Sequence, residues 1–145
     1  IAAGAPPSMT VTVHTCRGNF QSMWMAEGGY DRVGPIVFDQ PDVDGYFLEY
    51  DNDRSGGFEP LQYIPKDKKV VLGLVSSKRP EIESKDMLKR RIEEAAKFFP
   101  LEQLCLSPQC GFASTHHGNK ITEDVERRKL TLIVETATEI WGSAA

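Results

Sequence analysis

The sequence predicts an α/β fold in which four βα units form about half of a (β/α)8 barrel. Four apolar strand segments follow one another along the chain, and helical segments lie between them, so the element order is β-α-β-α-β-α-β-α. The third strand segment is apolar almost without interruption, which is typical of strands buried on both faces of a parallel sheet. A four-stranded, open, doubly wound parallel sheet is the alternative fold.

Four segments are predicted to be strands because they are rich in β-branched and apolar residues. They span residues 9–15, 44–51, 68–77 and 102–110. Polar residues, histidine or cysteine stand at or just beyond the end of each apolar run. In a parallel sheet, these residues would gather at one edge, where the carboxyl ends of the strands lie.

Two segments have the apolar spacing of amphipathic helices. Ser84 is a good N-cap for the first, and Thr122 for the second, which we expect to end at Gly142. Weaker helical signals lie at 20–38 and 57–64. The buried stripe of the last helix is predicted to consist of Val125, Leu130, Ile133, Ala137 and Ile140.

Length and composition limit the classes of function. The 145 residues suffice for one domain, which we assign to residues 1–145. A net charge of −4 argues against nucleic-acid or anionic-membrane partners, since both require a basic surface. No apolar run approaches the roughly 20 residues that span a bilayer. Three cysteines, an odd number, fit a reducing compartment, so we expect a cytoplasmic location.

The first strand segment ends by placing an imidazole and a thiol side by side. His14 and Cys16 are two residues apart, so they share a face if the strand continues through them. Alone, the pair would indicate a core histidine beside a small apolar cysteine. Two further candidates stand at the ends of other strands: Glu49 after the apolar run of the second, and Cys110 after the fourth.

These four side chains form a ligand set suited to Zn2+. Two thiolates, an imidazole and a carboxylate are borderline-soft ligands, and the carboxylate is the one that a substrate thiol could displace. A thiol bound to zinc loses its proton at neutral pH and becomes a nucleophile. The set therefore indicates an enzyme that alkylates a thiol. A zinc-binding structural or interaction protein without catalysis is the alternative.

Four longer segments carry a more specific pattern and cover nearly the whole chain: VHTCRGNF, YFLEYDNDRSGGFEPL, KKVVLGLVSSKRPEIES and LCLSPQCGFAST. Together they resemble the C-terminal catalytic domain of cobalamin-independent methionine synthase and its shorter bacterial relatives. The resemblance implies a (β/α)8 barrel of which this chain is the C-terminal half. It also implies zinc-dependent methyl transfer from a donor to homocysteine, with zinc bound by His14, Cys16, Glu49 and Cys110.

The segment after the third strand departs from the family's pattern. The full-length enzyme has Asp and His there, whereas this sequence has Ser76 and Lys78, and shorter relatives also carry Lys. We expect Lys78 and Glu49 to be catalytic, and the methyl donor to be methyl-folate or a methyl-corrinoid. Besides the non-catalytic zinc protein, the second alternative function is that of a related enzyme that acts on a thiol other than homocysteine.

The resemblance also implies that part of the substrate site lies outside this chain. The acidic residues that hold the homocysteine amino group belong, in the family, to the N-terminal half of the barrel. We therefore expect the chain to pair with that half or to self-associate, because half a barrel leaves open sheet edges. By itself, the 145-residue chain is expected to show little or no turnover.

Three other features carry less specific patterns. The pair His116 and His117 is interpreted as an exposed loop rather than a second metal site. Arg79 could meet an anionic group of the donor or be solvated, and the sequence leaves both open. Arg54 and Ser55 follow Glu49 in the family pattern, which favours a functional role for them over a simple turn.

Overall fold

A parallel four-stranded sheet forms the centre of the computed structural model, which describes residues 4–39, 43–113 and 115–144. Every neighbouring pair of these strands is parallel, and their order in the sheet follows the chain. Successive barrel units have this order, whereas a doubly wound sheet reverses direction at a switch point. The strands are β1 (Thr12–Thr15), β2 (Gly45–Glu49), β3 (Lys69–Val75) and β4 (Leu104–Pro108).

The connections between strands vary in their helix content. Among the described residues, the α-helices are α1 (Gly34–Val37), α2 (Lys85–Ala95) and α3 (Glu123–Trp141). Short 3-10 helices lie at Asp53–Ser55, Glu59–Tyr63 and Leu101–Gln103. In this described part of the chain, no helix is both long and apolar enough to cross a membrane.

The two segments with weak helical signals contain only short helices. The segment predicted at 20–38 is helical only in α1, because Gly28 has a φ of 122°, a value that no right-handed helix contains. The segment at 57–64 is a 3-10 helix with Pro60 near its start. Proline suits the first turn of a helix but does not lengthen it.

The capping residues are confirmed. The Ser84 hydroxyl accepts a hydrogen bond from the Met87 N–H, and the Thr122 hydroxyl accepts one from the Val125 N–H. Each cap satisfies one of the N–H groups that the first turn of a helix leaves without a partner. Gly142 ends α3 with a φ of 76°, the left-handed conformation of a C-terminal glycine.

The two faces of the sheet have different surroundings. On β2, Tyr46 and Leu48 are buried in the core that the sheet forms with α2 and α3. Phe47 points to the opposite face and is 37% exposed. His14 pairs with Phe47 in the sheet register, so the two side chains share this open face.

The buried stripe of α3 is only partly as predicted. Ile133 and Ala137 are buried, but Leu130 is 41% exposed, so its assignment to the stripe was wrong. Lys129 takes the inner position instead and is fully buried. Its aliphatic stem lies in the core, while its ammonium group hydrogen-bonds Glu83 at 2.8 Å. A lysine at a core position is invisible to a pattern of apolar residues.

The placement of α3 makes a direct prediction for two substitutions on this helix. We expect Ile133→Ala to lower the free energy of unfolding by about 2–5 kcal/mol, because it leaves a cavity in the core. Leu130→Ala should lower it by about 1 kcal/mol or less, because that side chain is largely solvated. Urea denaturation of both variants measures the difference, and equal losses would contradict this orientation of α3.

Candidate metal centre

Three ligand-type side chains from the two edge strands converge at one point. His14 lies in β1, Cys16 follows β1, and Cys110 follows β4. One potential ligand atom of each lies within 4.8 Å of the others, and the Cys110 Sγ is 3.7 Å from His14 Nε2. In a flat sheet, strands three positions apart are separated by about 14 Å. Curling of the sheet and the turn after β4 therefore bring the three residues together.

The donor chemistry of this group fits zinc. Two sulfur atoms and one imidazole nitrogen are the ligand types that Zn2+ prefers, and three protein ligands leave a fourth position for a substrate. The group lines a cavity of about 620 Å3 that is open on one side. His14 and Cys16 are exposed and Cys110 is half-buried, so a small molecule has access to all three.

Glu49 lines the same cavity but stands apart from this group of three. Its side chain is fully buried, and its Oε2 accepts a hydrogen bond of 2.7 Å from the Arg17 backbone N–H. Its Oε1 forms an ion pair with the Arg54 guanidinium and lies 3.9 Å from the Lys78 Nζ. Glu49 as a metal ligand therefore stays a prediction, whereas its place beside the group is a feature of the structure.

Arg54 connects Glu49 to a second carboxylate and to an aromatic ring. One guanidinium nitrogen lies 2.9 Å from Asp51 Oδ1, and the guanidinium carbon lies 4.6 Å from the centre of a Trp24 ring. Burial raises the pKa of Asp51 and lowers the pKa of Arg54, since a buried site disfavours both charges. The mutual attraction of the two groups opposes that cost.

Lys78 occupies a buried position between Glu49 and the turn after β4. Its side chain is 1% exposed, and its Nζ donates a hydrogen bond to Gln109 Oε1. Burial lowers the pKa of Lys78, although negative charge on Cys110 and Asp51 acts in the opposite direction. The predicted residue is thus placed at the site, while its catalytic role stays a prediction.

Two residues that sequence reasoning missed hold the loops of the site together. The Asn119 Nδ2 donates to the carbonyls of Ser77 and Gly111, at 2.7 Å and 3.2 Å, and its Oδ1 accepts from the Ser22 N–H. Asn119 thus joins the loops that follow β1, β3 and β4. Gln109 is the other, and its amide lies 2.9 Å from the Cys110 sulfur. No local sequence pattern marks Asn119, because its partners are distant in sequence. None marks Gln109, because its contacts depend on the turn after β4 and on the distant Lys78.

The histidine pair lies in an exposed loop, as expected. His116 and His117 are both exposed, with their ring centres 3.7 Å apart, and His117 packs edge-on against Phe20. Neither belongs to a group of three or more metal-ligating side chains among the described residues. Their contacts are those of an exposed loop.

Comparison with known proteins identifies relatives of nearly the whole chain. The family model for the catalytic domain of cobalamin-independent synthase matches residues 2–139. Two uncharacterized proteins of Bacillus subtilis (strain 168), YxjG and YxjH, are 58% and 52% identical to the chain over 140 residues. Each alignment covers 96% of this chain but 37% of the relative, so the chain spans little more than a third of their length.

Solved structures have the same fold. A protein from Listeria monocytogenes, described as a vitamin-B12 independent methionine synthase, is 37% identical, with a TM-score of 0.72 over 98% of this chain and 38% of its own. A B12-independent methionine synthase from Shewanella sp. W3-18-1 is 22% identical, with a TM-score of 0.70 over 92% of this chain and 38% of its own. These similarities confirm the α/β fold and its place as part of a larger barrel.

The environment of Cys110 predicts how its thiol reacts when no metal is bound. Burial raises the pKa of this thiol to about 11, so alkylation should accelerate about tenfold per pH unit through pH ~10. In the urea-unfolded chain, the rate should level off near pH ~9 instead, at the ordinary pKa of a thiol. Mass-spectrometric rates with iodoacetamide test this, and a plateau near pH ~9 in the folded chain would contradict it.

Proposed function

Because this chain belongs to the family of cobalamin-independent synthase catalytic domains, we propose that it carries the zinc site of an enzyme that methylates a thiol. Homocysteine is the proposed substrate and methionine the product. The observation that carries the proposal is the convergence of His14, Cys16 and Cys110 beside an open cavity. An accessible cavity beside three ligands favours a catalytic over a closed structural site.

The chemistry divides between the metal and the residues around it. Zinc bound there would keep a substrate thiol deprotonated at neutral pH. Glu49 is proposed as the fourth, exchangeable ligand, since its carboxylate lines the same cavity and is oriented by the Arg17 N–H. Its cationic neighbours Arg54 and Lys78 compensate its charge, so they would hold this carboxylate whenever a substrate thiol took its place.

Lys78 is proposed to carry a proton during methyl transfer. Its Nζ lies 3.9 Å from Oε1 of Glu49, which lines the cavity, and the lowered pKa that burial causes makes its ammonium group a stronger acid. In a reaction with methyl-folate, the leaving nitrogen of the donor needs a proton, and Lys78 Nζ is the proposed source. With a methyl-corrinoid, no such proton is needed, so the requirement for Lys78 would distinguish the two donors.

The rest of the substrate site is proposed to come from outside this chain. The open face of the sheet carries the exposed Phe47 and His14, whereas the core covers the other face. An N-terminal half of the barrel, or a second copy of the chain, would cover that face and complete the cavity. We propose that the protein works in the cytoplasm, and that this chain alone turns over little or no thiol.

Zinc content is the first test. We expect about one zinc per chain after purification under reducing conditions, because a mixed sulfur and imidazole site binds this metal. Cys110→Ser should abolish the bound zinc. Cys105→Ser is the matched control, because Cys105 lies in β4 and outside the group, so it should keep the metal. Absence of zinc from the parent chain, or its retention in Cys110→Ser, would refute the site.

Replacement of Glu49 separates a catalytic from a structural metal site. We expect Glu49→Gln to retain zinc on the three remaining ligands, while the free energy of unfolding falls by about 3–5 kcal/mol because buried cations lose their partner. Metal analysis and urea denaturation measure the two effects. In a closed structural site, all four ligands are permanently engaged, so loss of zinc in a folded Glu49→Gln variant would favour the alternative.

A further inference from the structure

The amide of Gln109 lies between two functional groups of the site. Gln109 is 1% exposed, and its backbone N–H donates to the Val75 carbonyl at 2.8 Å, which fixes the turn to β3. Its Nε2 is 2.9 Å from the Cys110 Sγ, and its Oε1 accepts from the Lys78 Nζ. A buried side chain thus connects a proposed metal ligand to a buried cation.

We propose that Gln109 is a positioning residue that holds the Cys110 sulfur by an N–H···S hydrogen bond and so tunes it as a zinc ligand. The inference rests on the proposed function, since Cys110 must be a ligand for the hydrogen bond to matter to the metal. It assigns to Gln109 a role through Cys110 rather than a contact with the substrate.

The lysine sets the direction of the amide. An ammonium group donates hydrogen bonds and accepts none, so the carbonyl oxygen of Gln109 must face Lys78. The NH2 group then faces the Cys110 sulfur and can only donate to it. The Lys78 Nζ also lies 3.9 Å from Glu49 Oε1, so the ammonium group is paired with a carboxylate as well as with the amide.

Cys110 needs such a restraint because its backbone has left the sheet. β4 ends at Pro108, and Gly111 follows Cys110, so no strand pairing defines the direction of this sulfur. A donor hydrogen bond restricts the orientation of the side chain and stabilises negative charge on the sulfur. Groups that orient a ligand in this way typically change metal affinity by about 10–100-fold when they are removed.

Gln109→Glu tests the hydrogen bond with almost no change of shape. A carboxylate at this position can still accept from Lys78 but cannot donate to sulfur. We expect zinc affinity of the full chain, measured by chelator competition, to fall about 10–100-fold. In the cobalt-substituted chain, the sulfur-to-metal charge-transfer band should move to longer wavelength, because the sulfur electrons are less stabilised. Gln103→Glu, the same substitution just before β4, is the matched control and should leave both measurements at parental values.

A second variant separates the hydrogen bond from the added charge. Gln109→Leu can neither donate, accept nor bind a metal, and it should also weaken zinc binding and shift the cobalt band in the same direction. Circular dichroism shows whether each variant is folded. Zinc affinity and the cobalt band are interpreted for the variants that fold. Parental zinc affinity and an unmoved cobalt band in a folded variant would overturn the proposal.

The outcome for the parent chain keeps this proposal distinct from the proposed function. If the parent binds zinc and loses it in Cys110→Ser, the site stands, and the Gln109 variants alone decide the role of the amide. If the parent binds no zinc, or Cys110→Ser keeps it, the proposed function fails and the role of Gln109 is refuted with it.

Discussion

The arrangement of the site depends on a carboxylate that is buried at the end of β2. Glu49 is 1% exposed, and a buried charge costs several kcal/mol unless nearby groups compensate it. The compensation comes from the Arg17 N–H, the Arg54 guanidinium and the Lys78 ammonium. These groups belong to the loops that follow β1, β2 and β3. Burial of a single carboxylate therefore holds three loops in one arrangement.

The fourth loop joins this arrangement through Lys78. Its ammonium donates to Gln109, whose amide contacts the Cys110 sulfur, so the loop after β4 is linked to the charge at the end of β2. Asn119 adds hydrogen bonds between the loops that follow β1, β3 and β4. The candidate ligands His14, Cys16 and Cys110 lie among these linked loops. Their convergence follows from buried charges and amides around them, and a ligand set alone would not produce it.

Sequence reasoning succeeded where a feature depends on neighbours along the chain. Strands, helix caps and the residue types at strand ends are local, so Ser84, Thr122 and the three converging ligand candidates could be found. It failed where the burial or the contacts of a residue depend on parts of the chain that are distant in sequence. Leu130 is exposed, and Lys129 is buried in its place because its ammonium group pairs with Glu83 from a distant loop. Gln109 could not be found, because its role depends on Lys78, 31 residues away in sequence.

The proposed metal site and the proposed substrate surface are separate parts of the structure. His14, Cys16 and Cys110 all belong to it, and their surroundings are fixed by contacts within the same four loops. The open face of the sheet, by contrast, has no partner within the described residues, and Phe47 lies exposed on it beside the cavity. A substrate amino acid has an ammonium and a carboxylate that must also be held, and the surface for that task is proposed to lie on the covering half. Under the proposed function, this chain would supply the site that activates a thiol, and the part that covers it would select the thiol.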